Sequence, residues 1–170
     1  MVPYDLAMQI RDEKVVLRPI EARDVAAIGE GLAIPETSRF MLHIPTPYTL
    51  RDAEAWVQRC EQVWRDESSF PFAIVDAADG AFLGSIELSG DSGTIGYWIA
   101  PSAQGRGVAT RALQLLCGWA SQRPLQLTTH PENVASQRVA EKAGFRRIGT
   151  RTEQLRFRDG ERESILFELR

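Results

Sequence analysis

Cysteine is scarce in this sequence. Cys60 and Cys117 stand apart, each in an apolar helical stretch and with no CxxC spacing, so the chain reads as a reduced, intracellular protein. Histidine is as scarce: His43 and His130 are too few and too separated for a metal site, and none is expected. Lysine is confined to Lys14 and Lys142, and arginine carries the remaining positive charge, which reads as genome composition rather than chemistry. No apolar run is long enough to cross a bilayer. Met1 to Lys14 carries Asp5, Arg11, Asp12 and Glu13 and has no signal-peptide core, so a cytoplasmic location is expected. Excess positive charge is missing too. A net charge of −3 argues against bulk nucleic-acid binding. Arg146, Arg147, Arg151, Arg156, Arg158 and Arg162 do crowd the last quarter, and they read as solvated strand faces.

What is present describes one globular domain spanning residues 1–170. A domain of this size buries roughly 70% of its unfolded surface and needs no metal or disulfide to hold a core. Strand signals fall at 15–20, 70–76, 81–89, 94–100, 125–129, 145–157 and 164–169, with turns at Asp79-Gly80, Ser89-Gly90-Asp91 and Asp159-Gly160. Helical periodicity covers 49–66, 107–121 and 133–143, and more weakly 22–32. Thr49 and Asn133 are N-cap residues by type, and Gly144 stops the last helix. The segment 34–48 holds Pro35, Pro45 and Pro47 with Phe40, Met41, Leu42 and Ile44. It reads either as a substrate-side loop or as a connection pinned to the core, and the second reading is preferred.

The informative stretch runs from Gly96 to Thr110. An apolar strand ends at Pro101, a short loop carries Gly105 and Gly107, and a helix follows. Glycines two apart let backbone N–H groups turn toward one point, and the helix start adds unpaired donors and its dipole. This is an anion site suited to a phosphate or pyrophosphate, with Arg106 as an added charge. A P-loop is excluded because GxxxxGK[ST] is absent. A dinucleotide fingerprint is weak because Thr110 occupies its third glycine position. Strand 94–100, helix 107–121 and strand 125–129 form a βαβ unit, so the two strands are expected to be parallel. The helix that starts at Asn133 then begins on the same edge as the glycine loop, with Ser136 in its first turn.

These residues resemble a known family. Gln104-Gly105-Arg106-Gly107-Val108-Ala109 is similar to the acetyl-CoA motif of the GNAT superfamily. The flanking Gly96-Tyr97-Trp98-Ile99, Asn133-Val134-Ala135-Ser136 and Glu141-Lys142-Ala143-Gly144-Phe145 look like the ribosomal-protein alanine N-acetyltransferase (RimJ/RimL-type) branch. Arg111 departs from that branch, which often has Glu there. The resemblance implies an α/β fold: a mostly antiparallel sheet with one splayed parallel strand pair and helices on both faces. It also implies acetyl-CoA as co-substrate, with the pantetheine arm paired to the backbone of Tyr97, Trp98 and Ile99. The diphosphate would lie on the amides of Gly105, Arg106, Gly107, Val108, Ala109 and Thr110, behind Gln104. Asn133 would touch the pantetheine arm and Ser136 would face the thioester sulfur. Dimers are frequent in the branch.

The expected reaction is direct attack of an amine on the thioester. An α-amine has a pKa of about 7.7–8.0 and needs little help from a base near pH 7, unlike a lysine amine at about 10.4. An Ile99 N–H would stabilise the oxyanion and Ser136 would act as acid toward the departing thiolate. Glu87 is the base candidate. It alternates with Ser85 and Ser89 on the polar face of its strand, opposite Phe82, Ile86 and Leu88. The expected acceptor is a protein N-terminal α-amine. Alternatives are a small-molecule amine (an aminoglycoside, a polyamine or an amino-acid-like antibiotic) and, outside enzymes, a non-catalytic acyl-CoA-binding module. A strongly acidic acceptor groove would favour polycationic drugs. Trp98 is expected beside the pantetheine channel; His130, which ends a strand three residues before Asn133, reads as a structural histidine in preference to a cleft-lining one.

Overall fold

A computed structural model describes residues 8–120, 124–157 and 160–170. Arg158, Asp159 of the expected hairpin turn, and Ser121 lie outside the described residues, as does Asp5. Among those described, the strands are β1 (Ile10–Arg11), β2 (Val15–Pro19), β3 (Ser69–Asp76), β4 (Phe82–Ser89), β5 (Ile95–Ile99), β6 (Leu125–Thr129), β7 (Arg146–Gln154) and β8 (Glu161–Leu169). The helices are α1 (Val25–Ala33), α2 (Pro35–Ser38), α3 (Leu50–Arg65), α4 (Val108–Trp119) and α5 (Val134–Lys142).

Strands β1 to β5 form an antiparallel sheet in chain order, and β6, β8 and β7 form a second antiparallel sheet in that order. One parallel bridge joins them, Thr94 to Gln126, where the Gln126 N–H donates to the Gly93 carbonyl at 2.9 Å. Past that bridge β5 and β6 pair with nothing between them, so the parallel strands of the βαβ unit diverge toward their carboxyl ends. The expected splayed pair is therefore present, and its gap opens where the glycine loop begins.

Alternation along the strands sends residues to two layers. One layer is α4 and α5 on Val15, Leu17, Phe72, Ile74, Ile86 and Leu88, together with Leu125, Leu127, Ile165 and Phe167 of the second sheet. Val108, Ala112, Leu113 and Leu116 recur at helical spacing and supply the buried side of α4. Each leucine buried this way contributes about 1.5–3 kcal/mol before entropy is counted. The other layer is α1 and α3 on Val16, Ala73, Val75 and Trp98. Its entry is fixed by Arg18, buried on β2, whose guanidinium donates two hydrogen bonds to Asp24 at 2.8 and 2.7 Å. Helix α3 starts at Thr49, the expected N-cap, and Asp52 closes a capping box with it.

Three expectations shift. Strand β7 stops at Gln154 rather than running to 157. Phe82 leaves the face of Ile86 and Leu88, because a bulge skips Leu83 in the register with β3 and turns Phe82 toward Trp98, 5.8 Å away between rings. Segment 34–48 is pinned to the core, as preferred, but it is held from the second sheet as well. Met41 and Ile44 pack on the α1–α3 core, while its backbone reaches the second sheet: the Phe40 carbonyl accepts from Arg162 at 2.7 Å and the Leu42 carbonyl from the Arg156 N–H at 3.3 Å.

Candidate active site

The gap between β5 and β6 has two mouths, one on each face of the sheets. On the α4–α5 side the glycine loop comes first. Gly105 and Gly107 sit at φ 73° and 76°, in the left-handed region where a Cβ is strained. A Cβ at either position would touch nothing within 4 Å, so packing does not call for glycine there; backbone direction does. Gly107 caps α4, and the N–H groups of Val108, Ala109 and Thr110 head the helix with no intrahelical acceptor. Arg106 is more than half exposed, 3.6 Å from Asp76.

The edge of β5 continues this mouth. The Ala100 N–H donates to Leu83, and the Ser89 N–H to Thr94. Antiparallel pairs alternate, so Trp98 and Gly96 exchange bonds with β4, while Tyr97 and Ile99 turn their N–H and C=O groups into the gap. Gln104 reaches back and donates its Nε2–H to the Ile99 carbonyl at 3.1 Å, leaving the Ile99 N–H on that edge. Across the gap, the Asn133 carboxamide oxygen caps α5 by accepting the Ser136 N–H at 3.1 Å. The Ser136 hydroxyl and the Tyr97 phenol lie 2.8 Å apart, a hydrogen bond between α5 and β5. Burial holds the Tyr97 phenol above its usual pKa, so it stays protonated.

The opposite mouth faces α1, α2 and α3. Glu87 lies here on β4, paired in register with Gly96. It accepts a hydrogen bond from the Ser69 hydroxyl, and burial raises its pKa above the ordinary carboxyl value. From the second sheet, Glu153 accepts the Thr128 hydroxyl at 2.8 Å through Oε1, while its buried Oε2 has no hydrogen-bond partner and sits 3.8 Å from Arg162. The Thr37 hydroxyl on α2, a helix that touches β5, is also buried and unpartnered. Phe40 stacks near His130 with ring centroids 4.9 Å apart, which closes this side from segment 34–48.

The sequence matches the GNAT acetyltransferase domain over residues 14–146. The chain belongs to the GNAT family. It is an acetyl-CoA-dependent acetyltransferase. A curated N-acetyltransferase of Bacillus subtilis, YnaD, is 26% identical over 151 residues, covering 84% of this chain and 85% of that protein. Mycobacterium smegmatis RimJ, solved in complex with CoA-disulfide, is 26% identical with a TM-score of 0.75, covering 91% of this chain and 81% of that one. A GNAT acetyltransferase from Bacillus anthracis superposes with a TM-score of 0.82 at 20% identity, over 95% of this chain and 98% of that one.

Coenzyme A suits this GNAT site for a reason visible in the chain itself. Unpaired amides heading a helix meet a phosphate's oxygens, and an unpaired strand edge meets the amides of a pantetheine arm. Of the residues expected there, the fold gathers Tyr97, Ile99, Gln104, the 105–110 loop, Asn133 and Ser136 at one mouth. Trp98 is the exception. Its backbone is committed to β4, and its ring packs against Gly31 on α1, away from the expected pantetheine channel. The rim residue Arg111 donates to Asp12 at 2.7 Å and to Glu13 at 2.9 Å, tying α4 to the β1–β2 turn. Glu153 and Thr37 were not expected. Each carries one buried oxygen without a hydrogen bond, which no local pattern announces.

Proposed function

We propose that this GNAT enzyme acetylates an N-terminal α-amine, most plainly of a protein. The observation that carries the reading is the two-sided gap: hydrogen-bond donors and Ser136 on one side, the part-buried carboxylates of Glu87 and Glu153 on the other. Acetyl-CoA supplies the acetyl group as an activated thioester. The chain then has three tasks. Ile99 offers an N–H where negative charge develops on the acyl oxygen. Glu87, with its raised pKa, takes the proton from the attacking amine. Ser136, held in place by Tyr97 and by the Asn133 cap, hydrogen-bonds the departing thiolate and relays to it a proton that solvent replaces, while Glu87 releases the amine's proton to solvent. Glu153 Oε2 and the Thr37 hydroxyl offer acceptors to an amine head.

Charge on the acceptor side supports an α-amine over a polycation. Arg59 acts on Glu87 and Arg162 stands 3.8 Å from Glu153, so the groove is mixed rather than strongly acidic. The identity with RimJ supports the same choice. The test is thiol release from acetyl-CoA with N-terminal peptides, spermidine and an aminoglycoside offered separately. Turnover confined to the peptides is expected; turnover confined to the aminoglycoside or spermidine replaces this reading with the small-amine one.

Two variants examine the roles. Glu87→Gln lowers kcat/KM at neutral pH about tenfold, a modest loss because an α-amine asks little of a base. Its pH–rate profile also changes on the acid side: wild type falls as both the amine and Glu87 take up protons, whereas Glu87→Gln keeps only the limb set by the amine, and an unchanged profile removes Glu87 as base. The same substitution alters stability. A raised folded pKa stabilises below the ordinary value of 4.5 and that contribution is lost as pH rises through the raised value, so Glu87→Gln melts higher than wild type at neutral pH. Tyr97→Phe removes one hydrogen bond to Ser136 and lowers kcat about fivefold, near 1 kcal/mol, with the KM for acetyl-CoA unchanged.

A further inference from the structure

Gly96 is a glycine that the fold does not need. It is exposed on β5, its φ lies outside the left-handed region, and a Cβ built on it would meet nothing within 4 Å. Neither a turn nor a close approach explains it, as they do for Gly107 or Gly31. A glycine in a strand also costs stability relative to alanine. Something other than folding keeps the side chain away.

Its position says what. Gly96 pairs directly with Glu87, and directly paired residues put their side chains on the same face of a sheet. A side chain at position 96 would therefore stand on the α1–α3 face, beside the Glu87 carboxylate. Gly96 lies past the Thr94–Gln126 bridge, where β5 has no neighbour on its other side. Helix α2 approaches β5 on this face, and Thr37, with its unpartnered hydroxyl, is part of α2. The missing side chain thus leaves an open strip from the gap to Glu87, at the mouth opposite the glycine loop.

We propose that this strip is the acceptor lane, and that Gly96 sets which amines pass: the carbon bearing the amine crosses β5 over Gly96, so its substituent occupies the space of the absent Cβ. The proposal rests on the two-sided reading of the gap and adds a selectivity to it. A side chain at 96 discriminates by substitution at the amine-bearing carbon. An unsubstituted head, as in an N-terminal glycine, still passes; a methyl-substituted head, as in an N-terminal alanine, is obstructed.

The test uses Gly96→Ala and Gly96→Val in the full chain, with two peptides that differ only in beginning with Gly or Ala. In Gly96→Ala, kcat/KM for the Ala peptide falls about tenfold, the weight of roughly one misplaced methyl in a fitted pocket, and that for the Gly peptide falls less than about threefold. Gly96→Val widens the ratio. The KM for acetyl-CoA stays at the wild-type value in both. The melting temperature of Gly96→Ala rises by about 2 °C, because the strand loses its glycine. Equal losses with both peptides, a raised KM for acetyl-CoA, or a lowered melting temperature each overturn the lane. If the wild type acetylates neither peptide but acetylates simple amines, the N-terminal acceptor fails separately. The lane is then judged on n-butylamine against sec-butylamine, where the same selective loss is expected and an equal loss overturns it.

Discussion

Ser136→Ala lowers kcat about a hundredfold and leaves the KM for acetyl-CoA where it was. General acid catalysis is worth about 10²–10⁴, and a thiol with a pKa of about 8.5 is an undemanding leaving group, which places the loss at the lower end. The hydroxyl is well placed for this work. It sits in the first turn of α5, its own N–H is taken by the Asn133 cap, and its oxygen is 2.8 Å from the Tyr97 phenol. The acid role requires Tyr97 to donate to the serine oxygen, which leaves the serine proton free for the departing sulfur. The two residues therefore act together. Tyr97→Phe costs about fivefold alone and close to nothing once Ser136 is alanine, a coupling that a double-mutant cycle reads directly. Steady-state rates with acetyl-CoA varied at saturating acceptor make the measurement. A lowered KM with unchanged kcat contradicts the acid role.

Much of this site was legible because its parts are local. A strand, a two-glycine loop and a helix start lie within fifteen residues, and backbone donors need only that order to point together. The βαβ rule then carried Asn133 and Ser136 to the same edge without any knowledge of packing. Trp98 was misplaced because the strand before Pro101 is apolar almost throughout, so alternation gives no face to choose. The displacement of Phe82 came from a bulge one strand away, which shifts parity after the fact. Glu153 was invisible for a different reason. It stands in a run where polar residues occupy both faces of β7, and its burial depends on Thr128, Arg162 and the 34–48 segment, all distant in sequence. Arg162 itself, grouped at first with solvated arginines, has only 14% of its side chain exposed and ties Phe40 to the second sheet. Arg146 and Arg147 do lie on exposed strand, as expected.

Gly107→Val raises the Kd for coenzyme A about a hundredfold, or roughly 2.7 kcal/mol, because two costs fall on one residue. The first is conformational. Gly107 caps α4 at φ 76°, and a β-branched residue there must either strain or turn the preceding amides away from the helix axis. The second is spatial. The Cβ position of Gly107 faces no protein atom within 4 Å, so added methyl groups stand in solvent or in the volume a diphosphate would fill. Hydrogen bonds from amides to a charged oxygen are worth about 1.5–3 kcal/mol, so misdirecting them accounts for the loss. The contrast that isolates the cause is pantetheine, which lacks the diphosphate but keeps the arm proposed to lie along Tyr97 and Ile99. Calorimetry should find pantetheine binding equally to wild type and variant while coenzyme A binding separates them. Gly107→Ala, smaller but held to the same φ, falls between. If Gly107→Val binds coenzyme A as tightly as wild type, the helix start does not hold the diphosphate, and the orientation of the acyl chain toward Ser136 loses its anchor.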